Sequence, residues 1–131
     1  LVQSVKDFIR YDIPDEKGVI RRESYETLSA DGVMGKDGLP LVAPELQIDE
    51  TLAAFWVAFW DVSNSVARIK DGVAFPIPPS EWFYWSKLTD TTLSNEDYGV
   101  LRAMDVAFCE QMNIELGERQ ARHEAEVRTK R

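Results

Sequence analysis

Four tryptophans stand in the stretch from Asp49 to Asp90, and no other part of the chain carries one. A small chain with so much aromatic surface in one place must fold around it. The spacing predicts a helix from Asp49 to Lys70, a Gly-Pro break from Asp71 to Pro79 and a short aromatic helix from Ser80 to Thr89. In the first helix Phe55, Phe59, Val62, Val66 and Ile69 recur at three- and four-residue steps and form one stripe. Trp56 and Trp60, with Ser63 and Ala67, form a second strip beside it, and Asp61, Asn64 and Arg68 are expected opposite. A helix this widely apolar has to be covered on more than one side, by its own chain or by another molecule. A packed core is the plain reading of these rings, because large aromatics fill small cores routinely. The sharper reading is a partner-binding surface, with Phe55, Trp56, Trp60, Trp82 and Trp85 as its candidates.

Gly72 suits the residue after a helix's last turn, where glycine accepts the left-handed conformation. Pro76, Pro78 and Pro79 then force an extended path, since each fixes its own φ and disfavours helix in the residue before it. A rigid corner is the reading taken here over a proline-rich ligand. Trp82-Phe83-Tyr84-Trp85 places rings on nearly every side of the short helix, which should wedge between its neighbours. Stacking on bases or sugars is the alternative, and Lys87 alone among basic residues interleaves. Ser94 with Asp97 resembles a capping box, opening a long C-terminal helix with Tyr98, Leu101, Met104, Phe108 and Met112 on one face. Asp105 falls on that face as well. It is expected to accept from an indole or to pair with Arg68 or Arg102, because an unpartnered carboxylate there would be costly. Cys109 reads as a packed small hydrophobe and His123 as a solvated side chain.

The N-terminal part, residues 1–47, is loop-rich. Phe8 to Ile13 reads equally as helix or strand, and Pro14-Asp15-Glu16-Lys17-Gly18 is a turn, so a small hairpin of Phe8–Ile13 against Val19–Tyr25 is one reading. Gly32, Gly35 and Gly38 mark a mobile loop whose spacing matches no phosphate-binding fingerprint. The fold expected is mainly α, with a central aromatic helix pair, a long C-terminal helix and, on one of the two readings, that small N-terminal hairpin. One domain should span residues 1–117, followed by a charged extension over residues 118–131.

Composition narrows function by exclusion. With 15 basic against 23 acidic residues the net charge is -8, which opposes direct binding to nucleic acid or anionic membrane. One cysteine and one histidine among 131 residues cannot assemble a usual metal site, and no nucleophile, zinc, Walker or EF-hand motif is present. No cofactor, no metal and no catalytic role is expected. No apolar run approaches the length that spans a bilayer, no secretory signal is visible, and a cytosolic setting is the simpler expectation.

The run Arg68-Ile69-Lys70-Asp71-Gly72-Val73-Ala74-Phe75-Pro76-Ile77-Pro78-Pro79-Ser80-Glu81-Trp82, followed by Met104-Asp105-Val106-Ala107-Phe108, resembles the tail assembly chaperones of lambda-like long-tailed bacteriophages. Arg68, Gly72, Pro76-Ile77-Pro78 with Ser80-Glu81, and Asp105 with Ala107-Phe108 carry the resemblance, and Leu1 to Gln47 contributes nothing to it. The resemblance implies a mainly helical fold and transient binding to the tape measure protein and to tail tube subunits. It also implies self-association, residence in the host cytoplasm and absence from the finished virion. Two other classes remain as alternatives. An acidic regulator could mimic nucleic acid toward a basic host protein, and its binding would be strongly salt-dependent. A small hydrolase would draw on Asp90, Asp97, Asp105 or Glu110, and would lose turnover without unfolding on Asp105→Asn.

Overall fold

The computed structural model describes residues 1–130, so Arg131, the last residue of the expected extension, lies outside the described residues. Five helices, α1 (Val2–Asp12), α2 (Arg21–Ala30), α3 (Ala53–Ser65), α4 (Pro79–Leu88) and α5 (Asn95–Thr129), and a two-stranded antiparallel hairpin, β1 (Ile69–Lys70) and β2 (Val73–Ala74), make up the fold. The architecture is mainly helical, with a central aromatic pair α3/α4 and one long C-terminal helix.

α5 is the spine. Ser94 and Asp97 form a reciprocal capping box, in which the Ser94 hydroxyl accepts from the Asp97 N–H and the Asp97 carboxylate accepts from the Ser94 N–H. Two orphan donors are satisfied at the helix start, where Glu96 and Asp97 also suit the positive end of the dipole. Leu101, Met104, Ala107 and Phe108 lie at helical spacing and are buried. They meet Phe59 and Val62 of α3, Val5 and Ile9 of α1, Ala74 and Ile77 of the hairpin arm, and Trp82 of α4 in one core. The helix continues through Gly117 without a break to Thr129.

The first helix of the aromatic pair is shorter than its spacing suggests. A single 3-10 turn, Glu50–Leu52, precedes it, with the Asp49 carboxylate accepting from the Thr51 N–H. α3 then ends at Ser65 and not at Lys70, because Val66 turns to extended geometry (φ -121°, ψ 154°). Residues 69–74 form the hairpin instead, with Ile69 opposite Ala74 and Lys70 opposite Val73. Its two-residue turn is Asp71-Gly72, both at positive φ (54° and 76°). Positive φ at both turn residues is the type I′ geometry that matches strand twist, and Asp-Gly is a favoured pair for it. Gly72 therefore serves a hairpin turn and not a helix end. Pro79 opens α4 at its first helical position, where its missing N–H costs nothing.

The N-terminal part is helical where a hairpin of Phe8–Ile13 against Val19–Tyr25 is one reading of its sequence. Residues 8–12 and 21–25 are helical, in α1 and α2, and the hairpin of the fold lies at residues 69–74. Val5 and Ile9, four residues apart, place one face of α1 in the core, and burial on a helical period outweighs the β-branched content of the segment. The Asp15 carboxylate accepts from the N–H groups of Lys17 and Val19, which closes the turn between the two helices. α2 buries no residue. It is tied back to α1 by the Arg22–Asp12 pair, 2.7 Å, and by Tyr25 packed edge-on to Tyr11. Residues 31–49 then cross to α3 with one isolated bridge, Met34 to Pro40, and no helix or strand.

Candidate interaction surface and the polar node behind it

Arg68 sits just past α3 in extended chain and is buried, 7% exposed. A guanidinium taken out of water needs most of its donors met, and here they are. Its Nε donates to the Phe75 carbonyl at 3.0 Å, one Nη to the Ser63 hydroxyl and the other to the Asp105 carboxylate. The second Asp105 oxygen accepts from the Ile77 N–H at 2.9 Å. The Arg68 guanidinium also lies over the Phe108 ring, 4.0 Å from its centroid, which adds a cation–π contact. One carboxylate on α5 thus fixes both the chain leaving α3 and the proline corner that enters α4. Asn113 completes the seam by accepting from the Ala74 N–H at 2.8 Å. Burial pushes the Asp105 carboxyl above its ordinary value, and the Ile77 N–H and Arg68 pull it back. Burial likewise raises the Cys109 thiol, which stands 3.8 Å from an Arg68 Nη. Of the residues that carry the resemblance, Arg68, Gly72, Pro76-Ile77-Pro78, Asp105 and Phe108 occupy or flank this one bonded unit, while Ser80 and Glu81 lie on α4 and Ala107 in the core.

The aromatic residues divide into two sets. Trp82 is 3% exposed and belongs to the core, so it offers nothing to a partner while the fold stands. Phe55, Trp56, Trp60 and Trp85 are half-buried and pack against that core. Trp56 and Trp60 stack edge-on, 5.6 Å apart, and Phe8 of α1 covers both at 5.7 and 5.0 Å. Trp60 continues the contact inward to Phe59 and Phe108. The Trp60 Nε1 is buried without a hydrogen-bond partner. Trp85 packs edge-on to Trp82, and its Nε1 donates to Asp61 at 2.6 Å, joining α4 to α3.

The apolar surface that faces solvent is made by other residues. On α4, Phe83 and Tyr84 are each 58% exposed and Leu88 87%, with Lys87 over the Phe83 ring. Phe75 on the proline corner and Val57 on the outer side of α3 are exposed too. Sequence spacing could not single these out, because in a helix of four consecutive rings every face looks equally apolar.

Three of the four carboxylates that a hydrolase would draw on have separate structural employment. Asp97 is half of the capping box, Asp105 belongs to the Arg68 node, and Glu110 pairs with Lys6 at 2.9 Å. Asp90 takes φ 52° as the chain leaves α4. Among the described residues no group of three His, Cys, Asp or Glu side chains is arranged to hold a metal ion, and no helix is long and apolar enough to cross a membrane. No family model, curated protein or solved structure matches this chain.

Proposed function

We propose that the protein is a non-catalytic assembly chaperone of a long-tailed bacteriophage, binding the tape measure protein and tail tube subunits during tail morphogenesis. The observation that carries this reading is the exposed stripe Phe83, Tyr84 and Leu88 on α4. That stripe is mounted on a helix fixed from behind by buried Trp82 and by the Trp85–Asp61 bond. A rigid apolar ridge is what helix-in-groove recognition of a long amphipathic partner calls for, and rigidity lowers the entropy lost on binding. The net charge of -8 keeps such a surface soluble. Most of the resemblance residues sit around the Arg68–Asp105 node, which supports the family reading.

Co-expression with tape measure segments tests the proposal. A segment should co-purify with this protein at moderate and at high salt. Retention should be lost on Phe83→Ala with Tyr84→Ala, while circular dichroism and melting temperature stay near those of the parent. Failure to retain any segment removes the proposal, and retention that vanishes with salt alone favours the acidic nucleic-acid mimic.

A further inference from the structure

We propose that α1 is a displaceable occupant of a helix-binding groove on α3 and α5. In its place the groove takes a partner's amphipathic helix that carries two cationic side chains, four residues apart, beside its apolar stripe. This goes beyond the chaperone reading, which concerns the outer face of α4. Three observations converge on it.

Residues 1–48 are held to the body by side chains alone. Among the described residues, no backbone–backbone hydrogen bond joins them to residues 50–130. The tether, residues 31–49, has no helix or strand, and could extend on the order of 60 Å if released.

The seat has the form of a receptor for a helix. Val5 and Ile9 enter the cluster that contains Phe59, Leu101, Met104 and Phe108, and Phe8 lies on Trp56 and Trp60. Anchors spaced at three and four residues along one helix, set against aromatic and aliphatic pockets, are the usual footprint of helix-in-groove binding.

The rim is electrostatically matched. Lys6 pairs with Glu110 at 2.9 Å, and Arg10 with Glu115 at 2.9 Å and Glu118 at 3.3 Å. Arg21 adds two longer pairs to the same Glu115 and Glu118, both 3.7 Å. The acids stand on α5 and the cations on the segment that can leave. These side chains are partly exposed, so salt weakens the attachment. The groove therefore prefers a basic amphipathic helix, and the competition with α1 lowers a partner's apparent affinity by the fraction of time the seat is closed.

Fluorescence anisotropy with labelled peptides tests the inference on the full chain. The first probe is residues 1–13. The second is a helical peptide of otherwise uncharged residues that keeps the α1 side chains at positions 5, 6, 8, 9 and 10. Both should bind Lys6→Glu/Arg10→Glu protein at least about tenfold more tightly than the parent, because charge reversal opens the seat. Glutamates in place of the two cations should abolish binding of the second probe. Equal binding to parent and variant, or equal binding of the glutamate probe, overturns the inference. A concentration-dependent dimer of the variant also overturns it, by naming a second copy's α1 as the occupant. Should the variant not fold, native-state hydrogen exchange on the parent decides. α1 amides must exchange at least about tenfold faster than residues 101–112 and accelerate with salt, and matched protection overturns the inference. Neither readout uses a tape measure segment, so this inference and the chaperone proposal can fail separately.

Discussion

Arg68 and Asp105 stand 37 positions apart in sequence and meet in a site where each is about 6% exposed as a side chain. A buried pair of this kind is weak evidence for stability as such, but breaking it leaves a charge without a partner. Asp105→Ala or Arg68→Met is expected to cost about 3–5 kcal/mol, the usual range for removing one partner of a buried pair. Urea unfolding checks this, and the double replacement Arg68→Met/Asp105→Leu should recover much of the loss. Asp105 was legible in the sequence as an anomaly, a carboxylate on an apolar helical face. Its partner was narrowed to Arg68 or Arg102, and the structure selects Arg68, which the sequence could not single out because it reads as a solvent-facing residue if α3 is continued to Lys70. The rings show the same limit. Trp82→Ala should cost about 3–5 kcal/mol as a core deletion. Phe83→Ala should stay within about 0.5 kcal/mol, although the two residues are neighbours in sequence and alike in chemistry.

Among the elements, those with strong local signals were readable. The capping box at Ser94, the spacing of Leu101 to Phe108, and the prolines that set the corner before α4 each act within a few residues. The end of α3 was not, because two local signals compete there. Apolar spacing favours continuing the helix, while Asp71-Gly72 favours a tight hairpin turn. The hairpin wins with tertiary help, since Arg68 reaches Asp105 and Asn113 takes the Ala74 N–H only from the extended path. Gly72→Val is therefore expected to destabilise by about 1–2 kcal/mol through its positive φ, and Asp71→Asn to be nearly neutral. Both follow from thermal or urea melts. The segment joining α1 to α2 carries a pH signature of its own. Arg122 holds the Glu16 carboxyl down at about 2, and Lys17 lowers Glu126 in the same direction. Depressed carboxylates stabilise the fold above their ordinary range and lose that contribution as pH falls toward the folded value. NMR titration should accordingly find the contacts of residues 15–17 with α5 intact at neutral pH and lost progressively from about pH 4.5 to 2.

At the scale of the molecule, helical class and a strongly acidic balance follow from composition and periodicity. How the two ends meet does not. Glu16 bonds Arg122 at 2.9 Å across 106 positions, and Lys17 bonds Glu126 across 109. Surface pairs between such distant residues leave no trace in local spacing. Because this seam is largely ionic and exposed, while the α3–α4–α5 core is apolar, added salt should loosen the first far more than the second. Limited proteolysis within residues 31–49 should speed up at high salt while α5 stays protected to about residue 112.

The absence of backbone hydrogen bonds between residues 1–48 and the body also bears on order in time. On a translating ribosome, the apolar face of α1 is made early, and the residues of α5 that receive it emerge roughly a hundred residues later. At about 5–20 residues per second that is a wait of several seconds. Phe8 gains Trp56 and Trp60 about halfway through that interval, but until α5 emerges Val5 and Ile9 lack the Leu101, Met104 and Phe108 side of their seat.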